Sequence, residues 1–155
     1  MTDQLLEYGE KLNAINLKQI LEHIFLRNEE VSEQGKRGTP ICIWGTHGLG
    51  KTQIIKDFAK EKNWKFTYCA PAQFEEMGDL HGMPEVVDPD NTISGDEYTI
   101  YSPPEWVPTE EGPGILLLDD INRADDRILR GCMQLLQNFE LFSWHLPEKW
   151  QIVAT

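Results

Sequence analysis

The sequence predicts an α/β fold: a parallel sheet with helices on both faces. Three observations carry this. Short apolar runs rich in branched residues recur at 41–44, 115–118 and 151–155. Stretches with apolar residues three and four apart lie between them. The runs 41–44 and 115–118 are apolar along their whole length, not on alternate positions, as strands covered on both faces are.

The elements follow in order. Residues 1–14 are ambiguous, with a short helix as one reading. Leu17, Ile20, Leu21, Ile24 and Phe25 then form one helical stripe, with Asn16 as the expected cap. Residues 28–40 are polar, hold two glycines and a proline, and read as a loop. Residues 41–44, bounded by Pro40 and Gly45, read as a buried strand. Helical spacing returns over 52–63 with Ile54, Ile55, Phe58 and Ala59, and 65–69 is a second strand. The strongest strand signal is 115–119: four branched apolar residues, then an abrupt acid. A helix over 125–138 follows, with Ile128, Leu129, Cys132, Met133, Leu135 and Leu136 on one face. Residues 151–155 begin another strand.

Residues 70–114 differ in kind. Six of the nine prolines lie between 84 and 114. Residues 75–111 hold 11 acidic side chains and no lysine or arginine. The segment 75–114 reads as an irregular acidic, proline-rich insertion or lid-like loop, with one hairpin expected over 92–102 around Gly95. It is a candidate partner-facing or pore-facing element.

The 155-residue chain is one domain's worth of sequence, with a net charge of −12. That balance disfavours a general affinity for nucleic acid phosphates. No run of about 18 apolar residues exists, so no membrane helix is expected. The acidic N-terminus does not read as a secretory signal, and a cytoplasmic location is expected. Cys42, Cys69 and Cys132 are odd in number and far apart, which reads as buried thiols in a reducing compartment. His23, His47, His81 and His145 show no metal-ligand spacing, so no zinc site is expected. The tryptophans at 44, 64, 106, 144 and 150 read as core and loop anchors.

The chemistry-bearing motif is Gly45-Thr46-His47-Gly48-Leu49-Gly50-Lys51-Thr52. It satisfies G-x-x-x-x-G-K-[ST] between an apolar strand and an amphipathic helix. Such a loop turns its backbone N–H groups inward around phosphates, and side chains at Gly45, Gly48 or Gly50 would obstruct it or forbid the needed φ angles. Lys51 can reach β- and γ-phosphates, the Thr52 hydroxyl can bind Mg²⁺, and the helix N-terminus adds positive potential. Asp119, at the end of the strongest strand, is the expected Mg²⁺ carboxylate. Asp120 is placed to polarise an attacking water. His47 is expected to point away from phosphate, and His81 reads as a loop residue. Arg123, Arg127 and Arg130 read as surface charges, with Arg123 the best candidate for an interface.

These residues resemble an AAA+ ATPase, and within that superfamily the MoxR-like (dynein-related) group. GTHGLGKT resembles the Walker A motif, and ILLLDDINRA the Walker B strand with the Asn-Arg-Ala that follows. GCMQLLQNFELFSWHLPEKWQIVAT resembles the helix, β-hairpin and strand leading to sensor 1. MGDLHGMP resembles the group's Asp-Leu-x-Gly element. The resemblance covers about residues 16–155. It implies a three-layer P-loop core, with residues 1–155 as the N-terminal part of one AAA+ domain. Sensor 1 is expected just after Thr155; the fifth strand, arginine finger and helical lid are expected further on. The resemblance implies ATP and Mg²⁺ as cofactors and hydrolysis in the intact parent. It also implies a hexameric homo-oligomeric ring that remodels a protein client in a chaperone-like way, often with a von Willebrand factor A domain partner. The usual Walker B ends Asp-Glu, whereas here it ends Asp119-Asp120, one methylene shorter.

Two other functions compete. A non-hydrolysing, nucleotide-responsive interaction module fits the short carboxylate. A P-loop phosphotransferase would need an acceptor site and a basic lid, where this chain has an acidic segment. No guanine-reading Asn-Lys-x-Asp motif is present, which agrees with adenine.

Overall fold

The structure is a computed structural model, and it describes residues 10–89 and 95–155. Four parallel strands form the central sheet: β1 (Ile41–Cys42), β2 (Lys65–Cys69), β5 (Gly114–Leu118) and β8 (Trp150–Ala154). Their spatial order is β1-β8-β5-β2. The register pairs Thr67 with Leu116 and Leu116 with Ile152. The expected α/β class and parallel sheet are therefore present.

Alternation along β5 divides the core. Ile115 and Leu117 join Val153 in a layer with Leu21, Phe25, Ile55, Phe58 and Ala59. Those last residues belong to helices α1 (Ala14–Glu33) and α2 (Lys51–Glu61). Leu116 and Leu118 join Ile152 and Ala154 on the opposite face, against Ile128, Cys132 and Leu135 of α4 (Asp126–Asn138). All five residues of β5 are buried. Burial at about 25 cal/mol per Å² makes this strand the anchor of the domain.

Several sequence expectations are corrected. The cap of α1 is Asn13, whose Oδ1 accepts the Asn16 N–H at 2.8 Å, and not Asn16 itself. The early helix reading begins only at Ala14, and residues 1–9 lie outside the described residues. α1 runs on to Glu33, through half of the expected loop 28–40. The reason is Asn28, which is buried yet fully engaged. Its Nδ2 donates to Thr39 O at 3.0 Å and Gln151 Oε1 at 2.8 Å, and its Oδ1 accepts the Thr39 N–H at 2.8 Å. A polar residue thus sits on the inner face of the helix. β1 holds only two residues, although the Ile43 N–H still donates to Ala154 O at 2.8 Å. Trp44, read as an anchor, is 84% exposed, and Cys42 is exposed while Cys69 and Cys132 are buried. Met133 is exposed on α4.

The described residues of the segment 70–114 hold more regular structure than expected. They include a 3₁₀ turn (Pro71–Gln73), a short helix α3 (Met77–His81), and strands β3 (Met83–Val87) and β4 (Tyr98–Ser102). β3 and β4 pair antiparallel, with Val87 opposite Tyr98. The partner of β4 is thus 83–87; residues 90–94, on which part of the expected hairpin falls, lie outside the described residues. His81 ends α3, and its ring lies 4.9 Å from that of Tyr101 and 4.5 Å from that of Phe142. A second hairpin, β6 (Glu140–Leu141) with β7 (Trp144–His145), follows α4 where the family resemblance places one. No helix among the described residues is long and apolar enough to cross a membrane.

Candidate functional site

The parallel sheet directs β1, β8, β5 and β2 to one edge, where ligands of such sheets sit. Residues 45–50 leave β1 at this edge and enter α2 at Lys51. Gly48 and Gly50 both have φ of +78°, a left-handed conformation that strains any side-chain-bearing residue. A Cβ on Gly45 would stand 3.2 Å from Leu49 Cδ1 and 3.5 Å from Lys51 Cδ. Lys51 Nζ folds back to donate to Gly45 O at 3.0 Å and Thr46 O at 3.2 Å. Its charge is held beside the loop by neutral carbonyls.

Asp119 follows β5 and is the centre of the site. Thr52 Oγ1 donates to its Oδ1 at 2.9 Å. Thr155 Oγ1 donates to the same oxygen at 2.6 Å, and the Tyr68 hydroxyl donates to Oδ2 at 2.9 Å. Burial pushes this carboxyl up, but the hydroxyls of Thr155, Thr52 and Tyr68 outweigh it with help from the Lys51 ammonium, and the net displacement is downward. Burial, then the bond to Asp119, pushes the Tyr68 phenol up to about 12. Backbone bonds fix the same strand ends: Asp119 N–H to Cys69 O at 2.9 Å, and Thr155 N–H to Leu118 O at 3.0 Å.

Asp120 sits in a left-handed turn (φ 50°, ψ 41°), and its N–H donates to Thr155 Oγ1 at 3.3 Å. Its Oδ1 lies 4.0 Å from His47 Nδ1. A cleft of about 110 Å³ lies between loop and turn, lined by Trp44, Gly45, His47, Lys51, Asp120 and Asn122 among others. A larger cavity of about 510 Å³ lies at the opposite end of the sheet, beside Pro113, Trp150 and Gln151, far from this chemistry.

The structure brings Lys51, Thr52, Asp119 and Asp120 together, with Gly45, Thr46, His47, Gly48, Leu49 and Gly50 forming the adjoining loop. Arg127 instead pairs with Asp125, the N-cap of α4, at 3.5 Å. Tyr68 and Thr155 were missed. Tyr68 is the penultimate residue of β2 and Thr155 follows β8, and only the register of these strands against β5 shows that their hydroxyls meet one carboxylate. A hard-oxygen pair, hydroxyl and depressed-pKa carboxylate, beside a left-handed glycine loop and an ammonium group is the donor set that a divalent cation bound to a polyphosphate requires.

No protein-family model matches the chain. It is similar to an "ATP-dependent protease ATP-binding subunit-like protein" of Rhodococcus erythropolis. The two are 29% identical over 116 residues, which are 65% of this chain and 29% of that protein. Its fold is similar to that of solved mutants of RuvB from Thermotoga maritima. One superposes with a TM-score of 0.52 at 16% identity, covering 92% of this chain and 38% of that one. Another gives 0.54 at 17% identity, covering 94% and 40%. The fold is thus an α/β fold with a parallel sheet, similar to that of these RuvB structures. The chain spans less than half the length of each of these proteins.

Proposed function

We propose that this chain binds Mg-ATP, with loop 45–52 around the phosphates and Thr52 and Asp119 holding the metal. The observation that carries the reading is the 2.9 Å contact of Thr52 Oγ1 with Asp119 Oδ1, two oxygen ligands 67 residues apart in sequence. Lys51 supplies the cation for the outer phosphates once its ammonium leaves the two carbonyls. When bound, Mg²⁺ neutralises charge on the phosphate oxygens. Tyr68 and Thr155 orient the Asp119 carboxylate and hold it ionised. Asp120 is the base that orients a water for hydrolysis.

The name of the similar Rhodococcus protein, an ATP-binding subunit-like protein, supports ATP as the nucleotide. In the whole protein we assign hydrolysis to a homo-oligomeric ring of the MoxR-like type, acting on a protein client, with a von Willebrand factor A domain partner as the candidate. One observation favours a second reading, nucleotide binding without turnover: Asp120 is a short carboxylate whose Oδ1 faces His47 at 4.0 Å. Calorimetric titration of Mg-ATP into the chain and into Lys51→Ala tests binding. Saturable binding that the variant loses supports the site. Equal binding by both, or none by the parent, removes it. Phosphate release by the whole protein and its Asp120→Asn variant separates the two readings.

A further inference from the structure

The glycine loop and the turn after β5 also meet through a side-chain pair that the metal site does not use. Arg123 Nη2 lies 2.6 Å from His47 Nε2. A guanidinium only donates, so Nε2 is the acceptor and the ring proton sits on Nδ1, the nitrogen 4.0 Å from Asp120 Oδ1. The imidazole therefore bridges loop and turn.

Contact with the glycine loop sets this arginine apart. Arg37 lies 3.6 Å from Glu140 and Arg127 lies 3.5 Å from Asp125. Among the described residues no carboxylate lies within ion-pair distance of Arg123. Its partner is a ring nitrogen and not a carboxylate. A planar, permanently charged fork of this kind matches phosphate oxygens. Its chain neighbours Asp120 and Asn122 line the same cleft as His47 and Lys51. Arg123, on the turn that follows Asp119 and Asp120, thus reaches the loop through His47.

We propose that Arg123 is a specificity-determining cation of this site, held beside the loop by His47 and transferred to the terminal phosphate of a nucleoside triphosphate. The proposal rests on the reading that loop 45–52 holds phosphates. It makes Arg123 a residue that separates triphosphate from diphosphate within its own chain. His47 is its positioning residue.

Calorimetry with Mg-ATP and Mg-ADP on the parent, Arg123→Gln, Arg123→Lys and His47→Ala tests it. Arg123→Gln weakens Mg-ATP by about tenfold and Mg-ADP by less than about twofold, the loss expected of one partly exposed charge-assisted contact. Arg123→Lys recovers part of the loss, because charge returns without the fork. His47→Ala lowers the ATP preference by about threefold, since the guanidinium is free but no longer held. A purely structural role moves both nucleotides equally. Equal weakening, or none, overturns the proposal. Failure of the parent to bind either nucleotide overturns the underlying site, a result distinct from a variant that matches a competent parent.

Discussion

Asn28→Ala tests why α1 continues past the polar residue that seemed to end it. The side chain is 6% exposed and makes three hydrogen bonds, at 3.0, 2.8 and 2.8 Å. Its partner Gln151 is 4% exposed. Truncation orphans Gln151 Oε1 and both backbone groups of Thr39. Each net bond contributes about 1 kcal/mol, giving about 3 kcal/mol in all. The 510 Å³ cavity is lined by both Asn28 and Gln151, so entering water satisfies part of what is orphaned. A loss of about 2 kcal/mol results. With an m-value of about 2 kcal/mol/M in urea, the unfolding midpoint falls by about 1 M at unchanged m. Tryptophan fluorescence and far-UV circular dichroism through a urea series measure it. A shift under about 0.3 M, at the same m, refutes the claim that Asn28 ties the helix to β8 and the Thr39 turn.

Other outcomes follow from the same structure. Lys51→Ala keeps the parent's unfolding free energy in urea within about 0.5 kcal/mol, since its ammonium bonds only exposed loop carbonyls, while ATP no longer raises Tm. Asp119 has a folded pKa below its unfolded value, so its stabilisation is full above the unfolded pKa of about 3.9 and is lost as pH falls through the folded value. The stability gap between parent and Asp119→Asn therefore narrows in urea titrations run below about pH 4; a constant gap contradicts the three-hydroxyl arrangement. Thiol labelling of the native chain at mildly alkaline pH modifies Cys42 alone, and all three cysteines react only in denaturant, because burial pushes the Cys69 and Cys132 thiols up. Native labelling at Cys132 would contradict its place under α4.

What the sequence reveals and what it hides have separable causes. The loop 45–52, β5 and the face of α4 are legible because each obeys a local rule: fixed glycines, a run of branched apolar residues, a 3.6-residue stripe. Asn28 and Thr39 are not, because their reason is Gln151, more than a hundred positions away. β3 is hidden for another reason. Met83, Pro84, Glu85, Val86 and Val87 carry no clean alternation, and a proline argues against a strand. β3 pairs only with β4, so its Pro84 breaks no ladder of the central sheet. Trp44 escapes the same reading because β1 ends at Cys42, two residues before the apolar run does.

The candidate site inherits its accuracy from the core. Ile115 and Leu117 face α1 and α2, while Leu116 and Leu118 face α4. A slip of one residue would exchange the two sets and put every side chain of β5 on the wrong face. The penalty for that exchange fixes the strand lengthwise, and so fixes where Asp119 emerges. β2 and β8 are registered on β5 in the same way, with Cys69 and Ala154 both opposite Leu118. Tyr68 and Thr155 therefore arrive on either side of Asp119 without any local sequence signal. Thr52 comes from the first turn of α2, whose Ile55, Phe58 and Ala59 pack on Ile115 and Leu117. Three hydroxyls from three elements thus converge on one carboxylate because each element is held by the same buried strand. A carboxylate so held needs little reorganisation to accept a cation, which is the property a metal ligand beside a phosphate loop requires.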